Sequence, residues 1–350
     1  MIIKREYWQD LNLRVKEKRQ FKTVDIVERL GCITPQQITI ANHPIDKPTT
    51  SFNPSMKIIG DKIVIYARIT LGYYSYSSAI VEFSIPFEES ECCSEKNYIA
   101  KLSITPSNKY DFWGVEDPRV NEIEGKLYIT YCGRTVSYFE PERKSEKTLP
   151  VTAVKTPDGW KKIAVFRMED ELRSFVATDK NAFIVKAKKF YLFHRLHMLN
   201  NKFYLSVCEI PSQALYTTDF KEITIGDNIT VLEEQSEFEE KIGWATPPIK
   251  VGEEYIVLIH GVDKEKGVYR VFAVLMNEEG FFTAVTPFYI MEPREIYEVY
   301  GDRPYVVFPC GADLKGEYIY ISYGAADSVV ALGRIKLETL FDILNDNRLD

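Results

Sequence analysis

Short runs in which apolar side chains alternate with polar ones recur along this chain, each introduced by a turn rich in Gly, Asp or Lys. Gly60-Asp61-Lys62-Ile63-Val64-Ile65-Tyr66 is followed by Gly125-Lys126-Leu127-Tyr128-Ile129-Thr130-Tyr131, and then by Lys188-Lys189-Phe190-Tyr191-Leu192-Phe193-His194. Gly252-Glu253-Glu254-Tyr255-Ile256-Val257-Leu258-Ile259-His260 and Gly316-Glu317-Tyr318-Ile319-Tyr320-Ile321-Ser322-Tyr323 complete the set. A period of two is that of a strand, and the leading turn makes each run the second half of a hairpin. The runs end at Tyr66, Tyr131, His194, His260 and Tyr323, 63 to 66 residues apart. A unit of about 64 residues holds four short strands and their loops, which is one propeller blade. Five units fill nearly the whole chain and predict an all-β, five-bladed β-propeller. A pair of β-sandwiches, or a chance series of hairpins, are the alternatives this spacing leaves.

Two stretches break the pattern. Between Glu6 and Leu30, the apolar residues Trp8, Leu11, Leu13, Val15, Val24, Ile26, Val27 and Leu30 are interspersed with charge and read as helical. Near the end, Leu337, Leu340, Phe341 and Leu344 recur at helical spacing. The expected organisation is an N-terminal helical extension over residues 1–35, a propeller over 36–335 and a C-terminal helix and tail over 336–350. Both helical pieces suit packing on the propeller, and an apolar face on the first could join subunits in a homo-oligomer.

Composition narrows the function. The 22 Tyr and 20 Phe favour strands and also suit contact with sugar rings. A formal charge of −7 argues against a general nucleic-acid binder, while leaving room for a local anion site. The six cysteines show no CxxC pair and no zinc-ligand spacing, and adjacent Cys92-Cys93 is awkward in a secreted disulfide framework. No apolar run reaches about 18 residues, and the opening Met-Ile-Ile-Lys-Arg-Glu-Tyr-Trp has no apolar leader core. The expectation is a cytoplasmic protein with no membrane span and no metal or organic cofactor.

One run stands out for its chemistry: Trp113-Gly114-Val115-Glu116-Asp117-Pro118-Arg119-Val120, just before the second hairpin. Pro118 should bias Asp117 to an extended conformation, so that Glu116 and Asp117 point opposite ways, with Arg119 able to pair with either. Taken alone, this is a turn with a surface ion pair. In a propeller, however, the first strand of each blade lines a central channel, and distant polar residues converge there.

Gly114-Val115-Glu116-Asp117-Pro118-Arg119 resembles the hallmark of glycoside hydrolase family 130, the β-mannoside phosphorylases and related hydrolases. Three further blocks agree in family order, from about residue 51 to 335. Ser51-Phe52-Asn53-Pro54-Ser55 with Arg68 resembles the family's Asn-Pro segment and its following arginine. Lys241-Ile242-Gly243-Trp244-Ala245-Thr246-Pro247-Pro248-Ile249-Lys250 with His260-Gly261-Val262 is similar to a second block. Gly301-Asp302-Arg303-Pro304, leading to Tyr323-Gly324-Ala325-Ala326-Asp327, looks like the closing one. The resemblance implies a five-bladed propeller, in agreement with the repeat count. It also implies roles: Asp117 as the single general acid, and Asn53, Ser55, Arg68 and Asp302 on the mannosyl unit. Arg195, Lys241, His260 and Tyr269 would bind phosphate, with Lys180 as a further basic position.

These residue types suit phosphorolysis. An inverting hydrolase needs an acid and a base to activate water, whereas phosphate is already a nucleophile and needs only a cationic cradle. Asp117 must then hold a proton at working pH, which burial or a neighbouring carboxylate would favour. The expected reaction cleaves or makes β-mannosidic linkages with inorganic phosphate and α-mannose 1-phosphate. An exo-acting β-mannosidase, a β-mannosyltransferase using a nucleotide sugar and a non-catalytic carbohydrate-binding propeller are the other readings. The chain departs from the family at Asn181-Ala182-Phe183-Ile184-Val185, which weakens the case for Lys180. It also departs at Leu196-His197-Met198-Leu199-Asn200, and Arg134 is an extra basic residue near a strand end.

Overall fold

The computed structural model describes residues 14–72, 76–140, 142–217, 219–226, 230–278 and 280–349. All five recurring phrases occupy the same place in it, the turn between the first and second strand of a sheet. Gly60, Gly125, Gly252 and Gly316 open four of these turns with φ of 61°, 72°, 62° and 63°, a region that glycine enters without steric cost.

Five antiparallel sheets follow one another along the chain. The first runs Thr50–Ile59, Lys62–Thr70, Ser78–Pro86 and Tyr98–Ile104, with Ile38–Ile40 added in parallel outside. The second runs Val115–Ile123, Lys126–Arg134, Thr148–Thr156 and Gly159–Met168. Its outer edge is covered by Lys221–Ile225, a parallel strand supplied by the connection between the third and fourth strands of the third blade. The third blade holds Val176–Lys186, Phe190–Met198, Phe203–Ile210 and Thr230–Glu234. In the fourth, Glu239–Trp244, Glu254–Asp263, Tyr269–Met276 and Phe282–Val285 form the main path. Its first strand is interrupted by Pro247-Pro248, which lack ladder donors, and resumes as Ile249–Val251 on the same partner.

The fifth blade closes the ring. Its strands are Val307–Lys315, Tyr318–Ala325 and Val329–Lys336, and its outermost strand is Glu28–Ile33 from the other end of the chain. This corrects the expected helical extension. Residues 14–18 are helical, but Val24, Ile26 and Val27 are not, and Leu30 lies on the closing strand; Trp8, Leu11 and Leu13 lie outside the described residues. The physical reason is the unpaired edge of the last blade, whose ladder the segment completes more favourably than an isolated helix could. At the other end, the helix Leu337–Asn345 forms as the spacing predicts and buries Leu340 and Leu344. Apolar clusters fill the space between neighbouring blades, as between the fourth and fifth around Leu258, Val271, Ile319 and Ile321.

The first strands pack against one another around the axis. Those of the first three blades carry the same defect: the register slips between Phe52 and Ser55, between Glu116 and Arg119, and between Lys180 and Phe183. The residues within these bulges, Asn53, Asp117 and Asn181, have φ of 46°, 49° and 55°. Asn and Asp tolerate this left-handed region better than other side chains with a Cβ. The bulges turn these three residues toward the axis.

Candidate active site

A cavity of about 410 Å³ opens at the end of the axis where the bulges lie. Asn53, Arg68, Asp117, Arg134, Tyr138, Lys180, Asn181, Arg195, Lys241, His260, Tyr269 and Asp327 are among its walls. These residues come from all five blades, so the convergence expected of a propeller is realised.

Asp117 is buried on the acidic side. Its Oδ1 accepts a hydrogen bond from Asn53 Nδ2 at 2.9 Å and pairs with Arg68 Nη1 at 3.0 Å. Contrary to the expectation from Pro118, Asp117 is not extended, and Glu116 does not point away. The bulge places Glu116 on the same arginine, with its Oε1 at 3.3 Å from Arg68 Nη2. Nor does Arg119 pair with either carboxylate. It is fully buried and donates to the carbonyls of Asp117, Trp244 and Ala245, tying the second blade to the fourth.

Glu116 has no exposure to solvent and is surrounded by cations. Arg134 Nε lies at 2.9 Å and Lys180 Nζ at 3.1 Å, and the Tyr138 hydroxyl donates to it at 2.5 Å. Burial alone would raise this carboxyl, but Arg68, Lys180 and Arg134 with the Tyr138 hydroxyl hold it well below the usual carboxylate range. Burial opposes the charge on Lys180 too, and Glu116 restores it, leaving the ammonium above its ordinary value.

The opposite wall is basic. Arg195 is buried over the Phe203 ring at 5.1 Å, Lys241 lies 5.5 Å from the centre of the Tyr269 ring, and Arg303 lies 4.6 Å from it. Among the described residues, none of these three cations has a carboxylate within ion-pair distance. His260 stacks on Tyr269 with ring centres 5.8 Å apart. Burial first, then Arg195, Arg119, Lys241 and Arg303, push the imidazole well below its ordinary value, so it is neutral and can donate one N–H. Burial also lowers Arg195. Arg195 Nε, His260 Nδ1 and Asn181 Oδ1 are buried here without a protein partner. An anion with several acceptor oxygens would satisfy the donors of this wall.

Two expected sugar contacts are placed elsewhere. Ser55 is buried outside the cavity wall, where its hydroxyl donates to the Cys310 carbonyl at 3.1 Å and accepts from the Val120 amide at 2.8 Å. It joins three blades. Asp302 is exposed at the mouth, accepting from the Tyr76 hydroxyl at 2.8 Å, and does not line the cavity. The second carboxylate of the wall among the described residues is Asp327, which ends the closing block Tyr323-Gly324-Ala325-Ala326-Asp327 and carries no role implied by the resemblance. Burial pushes Asp327 up to about 6; Arg68 and Arg303 oppose the rise, while Asp117 and Asp302 add to it. Arg303, from the same block, and His197, stacked on Phe203 at 4.2 Å, are further wall residues the sequence reading did not select. Their signal was adjacency: Arg303 follows Asp302, and His197 is two residues from Arg195 on one strand face.

Fold and site together place the chain among the five-bladed propellers that act on glycosides. It belongs to glycoside hydrolase family 130, whose family model, described as beta-1,4-mannooligosaccharide phosphorylase, matches residues 17–346. A beta-1,2-mannobiose phosphorylase of Thermoanaerobacter sp. (strain X514) is 28% identical over 232 residues, 65% of this chain and 68% of that protein. A beta-1,4-mannooligosaccharide phosphorylase of Ruminococcus albus is 25% identical over 252 residues, 67% of each. In three dimensions the chain is similar to beta-1,2-mannobiose phosphorylase from Listeria innocua in complex with beta-1,2-mannobiose. The TM-score is 0.70 at 17% identity, over 92% of this chain and 99% of that one.

Proposed function

We propose that this protein is an inverting β-mannoside phosphorylase. The observation that carries the reading is the set of cations Arg195, Lys241 and Arg303, without carboxylate partners among the described residues, facing Asp117 across one cavity. Asp117 gives its proton to the departing glycosidic oxygen, relayed through a mannosyl hydroxyl as the family resemblance implies. Phosphate, held by Arg195, Lys241, His260 and Tyr269 with Arg303 beside them, attacks the anomeric carbon from the other side. The glycosidic C–O bond breaks as the new C–O bond to phosphate forms, giving α-mannose 1-phosphate and a shortened mannoside. The proton lost by the phosphate restores the acid.

Asn53, Arg68 and Asp327 face the sugar in this reading, with Tyr76 and Arg134 nearer the mouth. A hydrolase would need a carboxylate to activate water on the basic side. Among the described residues the carboxylates lining the cavity are Asp117 and Asp327, and the charged groups acting on Asp327 are Arg68, Asp117, Arg303 and Asp302. That arrangement favours phosphate as the nucleophile. The relatives' names include both β-1,2 and β-1,4 linkages, so a panel of both mannobioses with and without phosphate is the test. Phosphate-dependent release of α-mannose 1-phosphate is expected, and mannose released equally without phosphate overturns the reading.

A further inference from the structure

Among the described cations that line the cavity, Arg303 is the one exposed to solvent. Arg68, Arg134 and Arg195 are buried, and Lys180 and Lys241 are half-buried. The backbone that carries Arg303 is fixed on two sides. Its amide donates to the Ala326 carbonyl at 3.0 Å, beside Asp327, and the Asp302 amide donates to Ser328 Oγ at 2.8 Å. Two residues on, the Tyr305 carbonyl accepts from the Tyr269 amide at 3.1 Å. Pro304 lies between these anchors and restricts the segment further. Arg303 therefore stands on a held piece of chain between Asp327 and the Tyr269 ring.

The guanidinium lies 4.6 Å from the centre of that ring, and Lys241 lies 5.5 Å from the same centre. One ring thus carries an exposed cation and a half-buried one, and His260 stacks on it as well. Like charges gathered at one ring repel each other, and an anion placed among them relieves that repulsion. We propose that Arg303 is the residue that admits phosphate: the anion is received at the mouth by Arg303 and passes along Tyr269 to Lys241 and Arg195. Asp302 and Asp327, on the other flank, repel the anion and direct it toward the basic wall. This rests on the phosphorolytic reading of the site.

A charge at the rim acts mainly on association and its salt dependence, whereas a fixed ligand of the reacting group acts on kcat. Arg303→Met is therefore expected to lower kcat/KM for phosphate about tenfold at low salt, through KM rather than kcat. Added salt screens the attraction, so variant and wild type should differ less than about threefold at high salt. Mannobiose is neutral, and its kcat/KM at saturating phosphate should change less than about threefold. Arg303→Lys keeps the charge without the planar fork and should restore most of the loss. Initial rates over a range of phosphate, mannobiose and sodium chloride concentrations read all of these. An unchanged phosphate kcat/KM in Arg303→Met, or a deficit that salt does not narrow, overturns the inference. So does a fall in kcat that Arg303→Lys fails to rescue, or an equal fall for both substrates in both variants. If wild-type turnover needs no phosphate, both the functional reading and the inference fall. If it needs phosphate but Arg303→Met uses it as well as the wild type, only the inference does.

Discussion

Asp117 occupies a left-handed position in a buried bulge, hydrogen-bonded by Asn53 and paired with Arg68, and the general-acid role proposed for it depends on a proton that an amide cannot supply. Asp117→Asn is expected to lower kcat/KM about 10³-fold, the typical loss of a general acid, while leaving mannoside binding in place. Initial rates and sugar titration check both halves. Asp327 makes a second prediction. Its carboxyl, pushed up to about 6 by burial, becomes neutral as pH falls through that value. If the carboxylate accepts sugar hydroxyls, the KM for mannoside should rise below pH 6, and Asp327→Asn should remove that pH dependence while weakening binding at pH 7. A KM that is flat from pH 5 to 7 in the wild type would exclude the role. At this scale the sequence was partly legible. Motifs identified Asp117, Arg68, Arg195, Lys241 and His260, which all reach the cavity. Asp302 and Ser55, also named by the motifs, do not line it, because which of two nearby polar residues turns inward depends on local backbone that composition does not encode.

Single elements show why. The recurring turn-and-strand phrase was visible because it is built from local rules: glycine at positive φ and period-two alternation. The bulges were not, since Asp117-Pro118 reads as an extended X-Pro pair, whereas the register slip turns Asp117, like Asn53 before Pro54, into the left-handed region. The closing strand Glu28–Ile33 was also missed, because its partner lies some three hundred residues away and its own pattern fits a helix. Glycines mark where such elements meet. A Cβ on Gly243 would lie 2.4 Å from His260 Cε1 and 2.5 Å from its Nε2, so only glycine lets the imidazole lie across the first strand of the fourth blade. Gly324 gives Asn53 the same freedom, its Cβ position being 2.0 Å from the amide oxygen. Gly243→Ala is expected to push His260 out of line, raising the KM for phosphate about tenfold and costing about 1–3 kcal/mol of stability. Phosphate titration and chemical denaturation measure the two effects. An unchanged phosphate KM would mean that His260 does not reach the anion.

For the whole molecule, the closing seam governs how the ring holds together. Five blades in a ring share five interfaces, and breaking one exposes both faces of that seam. The fifth blade meets the first through Glu28–Ile33, where Leu30 and Ile33 pack with Ile38, Ile40, Ile63, Val330 and Leu332. Ile33 is fully buried at this junction, and truncation of such a side chain typically costs about 2–5 kcal/mol. Native domains hold only about 5–15 kcal/mol in total, so the seam represents a large share. Ile33→Ala is therefore expected to lower the denaturation midpoint of the entire protein in one cooperative transition. The control is Ile99→Ala on an outer strand of the first blade, where the side chain is 78% exposed and little change should follow. If the blades were independent units, Ile33→Ala would instead split the curve, with an early step for the blades beside the seam and an unmoved step for the rest. Intrinsic tryptophan fluorescence separates the outcomes, because Trp160 lies in the second blade and Trp244 in the fourth, both away from the substitution. A closed ring requires them to report the lowered midpoint together, and the cavity walls contributed by all five blades would be lost in that same step.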